Sequence, residues 1–206
     1  MTGLELSRRE RKKEETKERI FRAAVRLFRD KGFENTTIDD ITERADVAKG
    51  TFFNYFHKKE AVLGYLSAVR LAEAEARAEE ILGARRPARE NLIELLCEAA
   101  AGYEENPELS RFVVIESMRR AFAPHEDVHH RWHGLLVRVL EQGQRNGELR
   151  ADVDLERAAF VLSTVYMGTL MMWLCGTSAP ECQALQFDLQ HELRARLSLV
   201  FDGLAV

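Results

Sequence analysis

Apolar residues recur every three to four positions along most of the chain, and no stretch alternates singly as a strand would. Ile20, Ala23, Ala24, Leu27 and Phe28 form a stripe that predicts a first helix from about Thr16 to Lys31, ended by Gly32. Ile38, Ile41 and Ala45 predict a short second helix, capped by Thr36 or Thr37, with Asp39 and Asp40 at the positive end of its dipole. Asp46 falls at a turn where a left-handed backbone is common, and Val47 is expected to plug that turn into the core. A third helix is expected from Lys49 to Phe56 and a long fourth from near Lys58 to Leu82, with Gly83 as its stop. Pro87 and Pro107 suit first helical turns and open helices to Tyr103 and Ala121, with Asn106 capping the second of these. After Phe122-Ala123-Pro124 the pattern predicts helices from Glu126 to Asn146, from an Asp152 or Asp154 cap to Leu174, and from Glu181 to Asp202.

The second and third helices carry the chemistry that points to function. Phe52 and Phe56 lie four apart and turn inward together, which directs Gly50, Phe53, Asn54 and His57 outward with Lys49 and Thr51 on the flanks. A cation, a bare glycine backbone, a hydroxyl, an amide and aromatic rings on one outward face suit a nucleic-acid groove. Asn can pair with adenine in a bidentate manner, Lys can reach guanine or phosphate, and Phe can touch a thymine methyl. Lys58 and Lys59 follow at the next helix start, placed for backbone phosphates.

On these residues a resemblance becomes specific. Residues 20–63 resemble the DNA-binding domain of the TetR (tetracycline-repressor-like) family of bacterial transcription regulators. The residues that carry it are Phe28, Gly32-Phe33, Thr36-Thr37, Ile41, Ala45, Val47, Lys49-Gly50-Thr51, Tyr55-Phe56 and Lys59-Glu60. The loop GELRADVD, Gly147 to Asp154, resembles the family as well. The chain departs from the pattern at Asp46 (usually Gly), Ala48 (usually Ser or Thr), Phe53 (usually Tyr) and Asp39 (often basic). The resemblance implies an all-α protein of about nine helices. Residues 1–57 are then a three-helix helix-turn-helix domain, with a charged arm at 1–15, and residues 58–206 a helical bundle for effector binding and dimerisation. It also implies a bacterial, cytoplasmic regulator with no cofactor, most simply a repressor of a near-palindromic operator. Lys49, Gly50, Thr51, Phe53, Asn54, Tyr55 and His57 would engage DNA, and Thr37 and Lys59 would clamp phosphates.

Charge modifies this picture without opposing it. The net charge of −4 is unevenly placed, because residues 1–60 hold fifteen Lys and Arg against twelve Asp and Glu. Fields are screened within about 10 Å, so acid elsewhere does not prevent a local DNA-facing surface. Arg8, Arg9, Arg11, Lys12 and Lys13 read either as a mobile extension toward phosphates or as the solvated start of the first helix. Cys97, Cys175 and Cys182 are odd in number and lack metal-like spacing, which suits a reducing compartment; a Cys175–Cys182 redox pair is the alternative. No apolar leader follows the N-terminus. Ala158 to Pro180 is uncharged and long enough to span a bilayer. A helix apolar all round can equally be enclosed by other helices, which is the reading adopted, with no membrane partner. No nucleophile elbow, phosphate loop or HExxH pattern marks an enzyme.

In the second domain, Leu185, Leu189, Leu193, Leu197 and Phe201, with Val200 beside them, repeat every four residues. The stripe packs either within its own chain or, as the resemblance implies, against a second copy in a four-helix dimer interface. Tyr103, Phe112, Met118, Phe122, Trp132, Ser163, Tyr166 and Met167 are the candidate walls of a pocket for an unknown hydrophobic or amphipathic effector. His125, His129 and His133, four apart, are weaker candidates for a metal-sensing face. A ligand-independent architectural DNA-binding dimer is the remaining alternative.

Overall fold

The computed structural model describes residues 7–83, 86–121, 127–177 and 186–204, and the elements among them are helices. They are α1 (Arg8–Lys31), α2 (Ile38–Ala45), α3 (Lys49–Phe53), α4 (Glu60–Gly83), α5 (Ala88–Glu104), α6 (Pro107–Ala121), α7 (Asp127–Arg145), α8 (Leu155–Gly176) and α9 (Leu189–Leu204). The chain divides into two units, Met1–Tyr65 and Leu66–Val206. That division falls inside α4, later than the 57/58 boundary expected from sequence. The reason is aromatic packing: Tyr65, on the second turn of α4, lies edge-on to Phe21 (centroids 4.9 Å apart) and against Phe56 (5.8 Å).

In the first unit, α1 begins eight residues before the expected Thr16. Ser7 and Glu10 form a capping box: the Ser7 amide donates to Glu10 Oε2 at 2.9 Å and the Glu10 amide to Ser7 Oγ at 3.2 Å. The charged residues from Arg8 onward are therefore the exposed first turns of a helix and not an extended arm. Ile20, Ala24, Phe28, Ile41, Ala45, Phe52, Phe56, Val62 and Leu63 form the core. Between α2 and α3, Asp46 adopts φ 51°, ψ 57°, and the Asp46 and Val47 amides donate to the Glu43 and Thr42 carbonyls at 3.1 and 3.0 Å. Those two bonds close α2 and re-aim the chain, so Asp here does what glycine usually does in such a turn. α3 ends at Phe53, before the expected Phe56; beyond it the Phe52 carbonyl accepts from both the Tyr55 amide (3.0 Å) and the Phe56 amide (2.9 Å), a tightened last turn.

In the second unit, α9 packs on α5 and α8, and α7 on α5 and α8. Here the expected dimer stripe is corrected. Leu189, Leu193, Leu197 and Phe201 are at most 1% exposed within their own unit, in one cluster with Leu92, Leu96, Leu136, Leu140 and Leu162. Val200 packs against that cluster, and Leu185 lies outside the described residues. A side chain already enclosed by α5 and α8 has no apolar surface left to offer a second chain. The expected start of α9 at Glu181 also falls outside the described residues; 186–188 are not helical, and Asp188 caps α9 by accepting from the His191 amide at 2.6 Å.

The exposed apolar side chains of this unit lie elsewhere. On α8, Phe160 is 66% exposed and Val161 44%, with Met171 and Met172 also exposed; on α9, Leu199 is 74% exposed. Phe160, Thr164, Gly168, Met171 and Cys175 share one face of α8 by spacing, and all five are exposed. The opposite face, with Ala159, Leu162, Tyr166, Leu170 and Leu174, is buried. α8 is long and apolar enough to cross a membrane, yet one whole side of it is core.

Candidate functional site

The outward surface of α3 follows from the inward pull of two rings. Phe52 and Phe56 are buried, with centroids 5.8 Å apart, and this leaves Gly50, Asn54 and His57 exposed and Phe53 46% exposed. Thr51 and Tyr55 are half-buried on the flanks. Phe53 rests edge-on against Phe52 at 5.6 Å, so its ring is presented at a fixed angle. Ala48 gives α3 no side-chain cap. Lys49 is exposed and forms an ion pair with Asp39 of α2 at 2.8 Å. Both partners are mostly exposed, so the pair is worth no more than about 1 kcal/mol and can be exchanged for a phosphate. Arg44, exposed in the last turn of α2, is a further cation on the surface of this unit that the helical pattern alone does not single out.

Two of the expected phosphate contacts are occupied within the unit. Lys59 Nζ donates to three carbonyls of the loop between α1 and α2: Phe33 O at 2.6 Å, Thr36 O at 2.8 Å and Glu34 O at 3.3 Å. It also lies 4.4 Å from the Phe33 ring centroid. Burial holds the ammonium below its ordinary pKa, against the opposing pull of Glu60 and Glu34. Lys59 therefore pins the approach to α2, its ammonium shared among three backbone carbonyls. Thr37 is likewise committed: its hydroxyl donates to Asp40 Oδ2 at 2.7 Å and accepts from the Asp40 amide at 3.1 Å, while its own amide donates to the same carboxylate at 2.7 Å. Lys31 meets that oxygen at 2.6 Å. Lys31 first, and the Thr37 hydroxyl and amide after it, hold the Asp40 carboxyl well below the usual carboxylate range. Both arrangements have one cause: a small helical unit must satisfy the loop and helix-end groups that its core leaves open.

The second unit contains a cavity of about 80 Å³ walled by α4, α5, α6, α7 and α8, whose lining includes Arg70, Tyr103, His129, Trp132, Tyr166 and Met167. Four expected wall residues are thus in place: Tyr103, Trp132, Tyr166 and Met167. Trp132 and Tyr166 pack with centroids 5.2 Å apart. Burial, reinforced by nearby Tyr103, raises the Tyr166 phenol well above its ordinary pKa, so it remains a neutral hydroxyl. The other candidates do not line the cavity. Phe112 and Met118 lie elsewhere on α6, Met118 exposed; Ser163 Oγ is buried without a partner on α8; Phe122 lies outside the described residues. Arg70 was not anticipated. It is a cation in the apolar run of α4, and its guanidinium sits 4.3 Å from the Tyr103 ring centroid. A more open recess of about 440 Å³ at Gly83, Arg86, Pro87, Gln142, Asn146 and Glu148 has polar walls and no aromatic lining.

The histidine face does not assemble. His129 Nε2 lies 3.3 Å from Ser117 O, His133 Nε2 lies 2.6 Å from Glu156 Oε2, and His125 is outside the described residues. Among the described residues no three His, Cys, Asp or Glu side chains are grouped to hold a metal ion. Cys97 is buried and Cys175 exposed; Cys182, the other half of the suggested redox pair, is outside the described residues.

Two family models match the chain: "Bacterial regulatory proteins, tetR family" over residues 20–66, and "Tetracyclin repressor-like, C-terminal domain" over residues 123–186. The chain is 30% identical to Thermus thermophilus FadR, a TetR-family transcriptional repressor solved with lauroyl-CoA, covering 92% of this chain and 95% of that one at a TM-score of 0.70. It shares the fold of Bacillus subtilis FadR, solved with stearoyl-CoA, at 20% identity, 91% and 98% coverage and a TM-score of 0.66. It is 25% identical to the transcriptional repressor KstR2 of Rhodococcus jostii over 193 residues, 88% of this chain and 87% of that protein.

Proposed function

The chain belongs to the TetR family of bacterial regulatory proteins, a DNA-binding regulator and not an enzyme, and from that premise we propose that it is a homodimeric repressor released from a near-palindromic operator by an amphipathic acyl compound. Acting on bacterial DNA, it works in the cytoplasm. Lys49, Gly50, Thr51, Phe53, Asn54, Tyr55 and His57 form the face offered to the groove, Asn54 to base edges and Lys49 to phosphate or guanine. Thr37 and Lys59 hold that face in position from behind.

The observation that carries the effector half of this reading is the Trp132–Tyr166 cavity with Arg70 in its wall. Its apolar and aromatic lining with a few polar groups suits a ligand of the kind the Thermus relative was solved with. At about 80 Å³ the cavity is far below the roughly 300–1,000 Å³ of a typical small-molecule site, so an acyl chain must prise the helices apart. Ser67, Arg70 and Leu71 of the wall lie on α4, whose first turns belong to the DNA-binding unit. Ligand binding thus favours a packing in which α4 has shifted, and the operator favours the closed one. Each opposes the other by the difference in its affinity for the two packings.

For the dimer, the surface is the exposed face of α8 around Phe160, Val161, Met171 and Met172, with Leu199 of α9. Grouped side chains of this size on two long helices are what a two-fold helical interface uses. Two recognition helices then read half-sites about one DNA turn apart or a multiple of it. Selection of binding sites from random duplexes tests the assembly. The expected product is an inverted repeat bound by two protomers, and Phe160→Glu yields a chain that sediments as a monomer. A monomeric wild-type chain selecting a single half-site defeats the reading.

A further inference from the structure

The charge balance of the cavity carries a more specific inference, which rests on the effector reading above. Arg70 Nη2 donates to Gly102 O at 2.8 Å, and Tyr103 packs against the guanidinium. Nη1 is buried and makes no hydrogen bond. No carboxylate pairs with Arg70 among the described residues, although elsewhere in this unit arginines such as Arg77, Arg86, Arg89 and Arg131 do have acidic partners. The polar residues that share its cavity are hydroxyl groups and one imidazole: Ser67, Tyr103, Ser117, Tyr166 and His129. A buried guanidinium nitrogen without an acceptor is unfavourable unless something else supplies one. The open Nη1 can donate a charge-assisted hydrogen bond to an acyl oxygen, of a carboxylate or of a carbonyl.

We propose that Arg70 anchors the acyl oxygen of the effector, with the tail directed among Leu71, Trp132 and Met167. The present cavity has the volume of a head group and a few water molecules, not of a tail. Arg70 is therefore the part of the site that is already formed, and the apolar part is the part that must open. Because Arg70 projects from α4, the contact that identifies the ligand sits on the helix that continues into the DNA-binding unit.

The test is release of a selected palindromic duplex, followed by fluorescence anisotropy, with dodecanoate, dodecanoyl-CoA and dodecanol as probes. Wild-type protein is expected to release DNA with dodecanoate or dodecanoyl-CoA, and the more potent of these identifies the head as carboxylate or thioester. Arg70→Gln is expected to need about ten- to a hundredfold more of that compound, the loss of a charge-assisted hydrogen bond. Dodecanol, which lacks the acyl oxygen, is expected to act equally weakly on both proteins. DNA binding without any probe reports that the variant is folded. An Arg70→Gln response within twofold of wild type overturns the anchor while leaving the effector reading intact. A parallel loss of the dodecanol response also overturns it, since Arg70 would then only shape the cavity. A wild-type protein insensitive to both acyl probes removes the effector reading itself.

Discussion

The DNA-facing surface of the first unit comes from one short stretch, Lys49 to His57, whereas the cavity of the second draws on Arg70, Tyr103, Trp132 and Tyr166 from four separate helices. The first is presented outward, with its rings fixed by Phe52 and Phe56 and its approach fixed by Lys59. The second is a half-open recess between helices, too small for the ligand it suits. A recognition surface must be rigid before DNA arrives, because any ordering is subtracted from binding. A sensor must instead have two packings close in free energy, and an under-filled aromatic cavity with one guanidinium nitrogen lacking an acceptor provides one of them. The two units thus place their polar groups differently: the first satisfies Lys59 and Thr37 internally, and the second leaves Arg70 Nη1 open.

The largest effect should come from the cores. Phe52→Ala removes a fully buried ring and should destabilise the first unit by about 3–5 kcal/mol and abolish DNA binding. Leu193→Ala should destabilise the second unit by about 2–5 kcal/mol. Calorimetry separates the two: each change should move mainly its own unit's transition, and equal shifts in both would deny that the units are separate.

Next comes the pin. Lys59→Met removes the donor shared by three loop carbonyls and should destabilise the first unit by about 2–3 kcal/mol, read by thermal unfolding without DNA. Unchanged stability with weakened DNA binding would return Lys59 to the role of a phosphate contact. Asn54→Ala acts only on DNA. A change of about 1–3 kcal/mol in base preference at one position of the site, measured by competition with substituted duplexes, is expected, with thermal stability unchanged. The smallest effect belongs to Asp39→Asn. Freed from its ion pair, Lys49 should bind DNA a few-fold more tightly with a steeper salt dependence, and weaker binding would instead make Asp39 a direct base contact.

The same contrast explains what the sequence disclosed. The helix-turn-helix was legible because its determinants are local: the apolar spacing of Ile38, Ile41 and Ala45, the left-handed turn at Asp46, and two phenylalanines one turn apart. The internal role of Lys59 was not legible because its partners are backbone carbonyls more than twenty residues upstream, which no periodicity encodes. The leucine stripe of α9 misled because a stripe states that a face is buried and not by what; α5 and α8 of the same unit bury it. The truly exposed apolar face of α8 was hidden in a segment apolar on every side, where no contrast marks a surface. Arg70 had no sequence signal beyond being a lone cation in an apolar run; only the packing of Gly102 and Tyr103 around it makes it conspicuous.

Occupation of the cavity should be felt at the recognition face. Titrating dodecanoyl-CoA into the wild-type protein bound to its fluorescently labelled, selected palindrome tests it most directly. The expected result is a fall in anisotropy to that of free DNA, at an acyl concentration that rises with the amount of DNA. Anisotropy that stays at the bound value while the compound demonstrably occupies the second unit would contradict it.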